Sequence, residues 1–315
     1  MILGTTPLLT DLGRCVGKTD PAEVLVTGWL PNHDGTYAVT THWPRVHRFY
    51  TLTPETHGPH LFTESVRQAL ALLTHAAFDI PVGYRLGWER FTSTVAPDAL
   101  RTGADTAALR LVVAYEPVTR RRSGTARLSA SVTAALGETL LGSAQVRYTA
   151  CPPAIYDRLR GRYADAGRAC ARALPVPSPV EPSLTGRRRP SDVVLATGDE
   201  PRTWNLRVDT GHPVLFDHPH DHVPGMVLLE ACGQAAVSAT RPHRTTPVAF
   251  DTAFSHYVEL DRPCRILAED TASADRGRDL HHVRVTGSQD GRQAFSATVT
   301  LQSVTTPLAT GSVTV

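Results

Sequence analysis

Apolar residues recur at helical spacing in two stretches of the chain and at alternate positions in most of the others. Over residues 61–78, Phe62, Val66, Ala69, Leu70, Leu73 and Ala77 define one helix face. Glu64, Arg67 and Gln68 lie on the other side, flanked by Leu61, Ala71 and Leu72, which would place the acid in a half-apolar groove. The plainer reading of this triad is a surface ion pair worth about 0.3–0.5 kcal/mol. Over 225–240, Leu228, Leu229, Cys232, Ala235, Ala236 and Ala239 repeat the helical spacing. Alternation predicts strands over 23–29, 36–43, 85–95, 108–116, 126–135 and 139–149, then over 204–208, 248–260, 265–270, 281–287 and 293–302. Asp34-Gly35, Leu136-Gly137-Glu138 and Asp290-Gly291 supply the turns. Residues 1–20 read as an irregular arm and 153–173 as one charged helix. Residues 174–190, rich in proline and arginine, read as an extended linker.

The order of elements is the same on both sides of that linker. At an offset of 166 residues Glu64 falls on Glu230, Gln68 on Gln234 and Ala69 on Ala235, while Tyr84, Trp88 and Phe91 fall on Phe250, Phe254 and Tyr257. This self-similarity predicts a tandem duplication. A long helix followed by an antiparallel sheet must bury its apolar face on that sheet. The expected fold is therefore α+β, a double hot-dog. Its N-terminal unit spans 1–152, a helix and linker 153–190, and its C-terminal unit 191–315.

Composition narrows the function classes. The chain has 315 residues, is 41% hydrophobic and carries a net charge of +2, so it can bury a sizeable core and lacks the basic excess of a general nucleic-acid binder. The triplets Arg120-Arg121-Arg122 and Arg187-Arg188-Arg189 read as solvated loops. Five cysteines without a CxxC pair fit a reducing cytosol. Neither a signal peptide nor a membrane span is evident, and a cytoplasmic location is expected.

Titratable groups crowd residues 209–236, where His212, His218, His220 and His222 precede the Pro224-Gly225 turn and Glu230 interrupts the apolar run that follows. Alternate residues of an extended segment share a face, so His218, His220 and His222 have the spacing of zinc ligands. The bland reading is a polar loop capping a core helix. No metal or cofactor is expected.

The second half resembles the A-factor biosynthesis family, the γ-butyrolactone synthases of actinomycete signalling. The carrying residues are 191–195 (SDVVL), 206–209 (LRVD), 212–219 (HPVLFDHP) and 221–231 (DHVPGMVLLEA). The first half adds 25–29 (LVTGW), Trp43-Pro44-Arg45, His47, 64–68 (ESVRQ) and His75-Ala76. More distantly, His218-Pro219, Pro224-Gly225 and Glu230-Ala231 are similar to the acyl-carrier dehydratases of fatty-acid synthesis, which share the hot-dog fold.

The resemblance implies transfer of a β-ketoacyl group from an acyl-carrier-protein thioester to the hydroxyl of dihydroxyacetone phosphate, with the ester then closing toward a butenolide phosphate. Such chemistry needs a base, oxyanion donors and cations for the phosphate. Glu230, Glu64, His218 and His222 are the candidate catalytic residues. Arg67, Arg45, Gln68, Gln234, Gly225 and Met226 are the candidate substrate-binding residues, with Gly225 giving the thioester close access and the N–H groups behind it forming an oxyanion hole. Trp88, Phe91, Phe254 and Tyr257 are candidates for lining an acyl channel or for sheet core. One departure stands out. The family carries Glu-x-x-Arg-Gln in its second helix, but here that arginine is Gly233, which suggests a backbone or ligand passing close by. Two other readings remain: a dehydratase or thioesterase using His218 and Glu230, and a non-catalytic acyl-binding module.

Overall fold

The computed structural model describes residues 9–103, 105–271 and 280–304. Strands β1 (Val26–Pro31) and β2 (Tyr37–Trp43) form a hairpin, followed by the short pair β3 (Thr51–Thr53) and β4 (Thr56–His57). Helix α1 (Leu9–Val16) precedes them and α2 (His60–Ala76) follows. Then come β5 (Arg85–Val95), β6 (Ala107–Tyr115), β7 (Thr119–Arg120), β8 (Ala126–Leu136) and β9 (Thr139–Cys151). Helices α3 (Pro153–Arg160) and α4 (Ala166–Ala171) lead into the linker. The second repeat holds β10 (Leu195–Thr197), β11 (Thr203–Leu206), α5 (Gly225–Ala239), β12 (Thr245–Phe254), β13 (Arg265–Asp270), β14 (Leu280–Gln289) and β15 (Arg292–Ser303).

All described strands except the β3–β4 pair join in one antiparallel sheet, ordered β1-β2-β6-β8-β9-β5-β12-β15-β14-β13-β11-β10, with β7 on β8. The seam between the repeats is β5 on β12, where Phe91 faces Thr252 and Arg90 faces Ala253. An Arg90–Asp251 ion pair at 2.5 Å crosses it. The sheet curls around α2 and α5. Fourteen of the 17 residues of α2 and 13 of the 15 of α5 are buried, so burial extends well beyond the single apolar face read from the spacing of each. This is the tandem hot-dog architecture.

Several sequence expectations need correction. Part of the expected irregular arm is the helix α1; residues 1–8 lie outside the described residues. The charged segment 153–173 is two helices, because Gly161 takes a positive φ of 53° that ends α3. The strand expected over 248–260 stops at Phe254, so Tyr257 stands in a loop. β10 is too short for its alternation to register.

The duplication extends to buried polar groups. Gln68 Oε1 accepts from the Leu25 N–H (2.7 Å), and its Nε2 donates to Glu23 O (2.7 Å) and Glu64 Oε1 (2.7 Å). Gln234 Oε1 accepts from the Val194 N–H (3.0 Å), and its Nε2 donates to Asp192 O (2.8 Å) and Glu230 Oε1 (2.6 Å). His47 Nδ1 accepts from the Phe49 and Tyr50 N–H groups; His212 Nδ1 accepts likewise from Val214 and Leu215. Each glutamine thus ties the entry segment of its repeat to the central helix.

Replacing Gln68 or Gln234 by leucine leaves a buried N–H and carbonyl unpaired. Each change is expected to destabilise the fold by about 2–3 kcal/mol in equilibrium urea unfolding. A loss below about 0.5 kcal/mol would contradict this structural role.

Candidate active site

A cavity of about 410 Å³ opens between the repeats, bounded by α2, the histidine loop, the first turn of α5 and the ends of β5 and β12. Its walls come from both halves: Lys18, Glu64 and Arg67 from the first, His218, His222 and Gly225 from the second.

One end is cationic. The Glu64 carboxylate is buried and held from three sides. Arg67 grips it through Nε (2.8 Å) and Nη2 (2.7 Å), Gln68 donates at 2.7 Å, and Lys18 Nζ lies 3.3 Å away. Burial alone would push this carboxyl up. The Arg67 and Lys18 charges, with the hydrogen bonds, outweigh it and hold the group at about 2. A carboxylate so stabilised is a poor base. Arg67 Nη1 also donates to Val16 O (2.9 Å), which fixes the guanidinium at the cavity wall. Lys18 was hidden in the arm that read as irregular, and no local pattern marks it.

The other end carries the histidines. Asp217 is locked by the N–H groups of Thr19 (2.5 Å) and Asp20 (3.0 Å), and His218 Nδ1 stands 3.5 Å from it. Burial lowers the His218 pKa, with Asp217 opposing, so the ring is neutral at pH 7. His220 stacks on His218 at 4.2 Å and is lowered to about 3, chiefly by burial. His222 turns to its own neighbour, with Nδ1 2.9 Å from Asp221 Oδ1. The three rings therefore do not converge as metal ligands, and no metal-binding cluster of His, Cys, Asp or Glu exists among the described residues.

Gly225 does give close access, but to a side chain: a Cβ there would lie 2.8 Å from the Trp88 ring. Trp88, Phe254 and Tyr257 line the cavity, whereas Phe91 is core beneath Trp88, ring centroids 5.0 Å apart. Met226 lines it from the first turn of α5.

Glu230, Gln68, Gln234 and Arg45 lie outside this cavity. Arg45 is exposed. Glu230 is buried and gripped by Arg187, whose Nε donates at 2.8 Å and whose Nη2 donates to Oε2. Arg187 comes from the linker. Its Nη1 donates to Phe49 O (2.8 Å), and its guanidinium lies 4.2 Å over the Phe49 ring. Burial raises the Glu230 carboxyl, but Arg187 overcomes this and the pKa is lowered. Arg187, which read as a solvated loop residue, thus supplies the charge missing at Gly233. Two side-chain rings, and no passing backbone, stand against Gly233. A Cβ there would meet the His60 imidazole and the Phe250 ring at 3.5 Å.

The chain is similar to known proteins over most of its length. The family model described as the A-factor biosynthesis hotdog domain matches residues 10–152 and 169–305. The chain is 39% identical over 285 residues to the 2-oxo-3-(phosphooxy)propyl 3-oxoalkanoate synthase of Streptomyces virginiae, covering 90% of this chain and 95% of that one. It is 36% identical over 288 residues to the protein of the same name from Streptomyces coelicolor, covering 90% and 89%. Among solved structures, the tesB protein of Mycobacterium avium subsp. paratuberculosis aligns over 95% of this chain and 100% of its own, with 12% identity and a TM-score of 0.48.

Two outcomes follow from the buried carboxylates. Arg187→Met leaves the buried Glu230 without its cation and is expected to cost about 3–5 kcal/mol, largely recovered in the Arg187→Met/Glu230→Gln pair, as read by urea unfolding. Glu64, lowered from 4.5 to about 2, contributes stability that is complete above its unfolded value and lost as the pH falls through that window. Unfolding measured from pH 6 to pH 2 is expected to show a shallower acid loss in Glu64→Gln.

Proposed function

The chain belongs to the A-factor biosynthesis hotdog family, and from that premise we propose that it transfers a β-ketoacyl group from an acyl-carrier-protein thioester to dihydroxyacetone phosphate, forming a 2-oxo-3-(phosphooxy)propyl 3-oxoalkanoate. The observation that carries this reading is one cavity with cations at one end and a His–Asp pair at the other.

Lys18 and Arg67 hold the acceptor phosphate. A guanidinium has five N–H donors, and the three bonds from Arg67 to Glu64 and Val16 leave two for the ligand. Glu64 keeps the two cations in place and is not the base. His222 is the base. Asp221 accepts a hydrogen bond from Nδ1–H, which leaves the Nε2 lone pair for the substrate. The acceptor hydroxyl attacks the thioester carbonyl, its proton passing to Nε2. The new C–O bond forms, the C–S bond breaks, and the proton goes on to the departing thiolate. Gly225 and Met226 open α5, so their N–H groups lack intrahelical acceptors and can meet the oxyanion. Neutral His218 orients the hydroxyl. Trp88, Phe254 and Tyr257 flank the acyl chain.

Incubation with a β-ketoacyl carrier thioester and dihydroxyacetone phosphate is expected to give the phosphorylated ester by mass spectrometry. Unphosphorylated dihydroxyacetone should give little. Lys18→Met should raise KM for the acceptor about tenfold, the loss of roughly 1.4 kcal/mol of binding. Release of free acid or loss of water, with no ester, would replace the transferase reading with a hydrolase or dehydratase.

A further inference from the structure

Asp221 is built to face His222 by a segment that neither repeat owns. Its Oδ2 accepts from the Tyr156 hydroxyl (2.7 Å) and from Arg160 Nε (2.9 Å), both on α3. With Oδ2 doubly engaged, Oδ1 is left for His222 Nδ1 at 2.9 Å. Arg160 goes further. Its Nη2 donates to Asp221 O (3.1 Å), and its Nη1 and Nη2 donate to Glu259 at 2.7 and 2.8 Å. Its guanidinium also lies 4.3 Å over the Tyr257 ring, which packs against the His222 ring at 4.6 Å. α3 therefore constrains His222 on its carboxylate side and on its ring face.

The arrangement is costly unless it has a use. Arg160 is buried, and Asp221 and Glu259 carry two negative charges against its one. A proton taken up by His222 balances that cluster. Burial opposes ionisation of Asp221, but the bonds from His222, Tyr156 and Arg160 prevail and its pKa is lowered, so it stays a carboxylate throughout.

We propose that Tyr156 and Arg160 are positioning residues for the acyl-transfer reaction: through Asp221 they fix the tautomer and orientation of His222. This rests on the assignment of His222 as base.

The test is a double-mutant cycle in full-length protein, with β-ketoacyl carrier thioester and dihydroxyacetone phosphate as substrates. Tyr156→Phe removes one hydroxyl and preserves the ring. It should lower kcat by roughly ten- to a hundredfold and change either KM by less than about threefold. Arg160→Lys should lower kcat less than Arg160→Met, because the ammonium keeps the charge without the fork. In a His222→Ala background Tyr156→Phe should cause no further loss of kcat, since the group it positions is gone. An equal loss in both backgrounds, or a loss confined to KM or thermal midpoint, would overturn the positioning role. If His222→Ala alone leaves kcat intact, the base assignment itself has failed, and that result is distinct from additivity in the cycle.

Discussion

Each central helix carries a carboxylate into the protein interior, and the rest of the molecule is arranged around neutralising it. An unpaired buried carboxylate costs several kcal/mol, so Glu64 and Glu230 each require a cation and a hydrogen-bonded neighbour. Gln68 and Gln234 meet the second need from the next helical turn and tie the helix to the entry segment of its repeat. The first need is met differently on the two sides. Arg67 comes from the same helix three residues on and remains at a cavity wall with Lys18. Arg187 comes from the linker and lies packed over Phe49, away from the cavity. Two equivalent positions thereby acquire different environments.

That difference separates a wall of the site from a piece of scaffold. Around Glu64 the ion pairs leave cations with donors to spare beside a 410 Å³ cavity. Glu230 lies outside that cavity: Arg187 and Gln234 bond its oxygens, and the His60 ring, lowered to about 4 chiefly by burial, stands 3.8 Å off. The histidine loop of the second repeat then completes the open site in the first.

Much of this was legible in the chain. The period-two stretches place 85–95 and 265–270 as strands to the residue. The pairing of Glu64 with Glu230 and Gln68 with Gln234 followed from spacing alone, since a duplicated helix repeats its buried polar positions. Lys18, Arg187, Tyr156 and Arg160 could not be found that way. Their partners lie 43 to 65 residues distant in most cases, and an arginine in a triplet looks the same whether it is solvated or inserted into a core. Glu230 was misplaced relative to the cavity for the same reason, because spacing shows which residues are equivalent but not which of two equivalents is covered.

The β5–β12 seam has a consequence for dilution. Hot-dog units that meet as separate chains lose a shared cavity when their concentration falls below the dissociation constant. Here both walls belong to one polypeptide, so the seam closes at an effective concentration set by the tether and not by abundance. A cell holding very few copies of this chain would still hold the same number of assembled cavities.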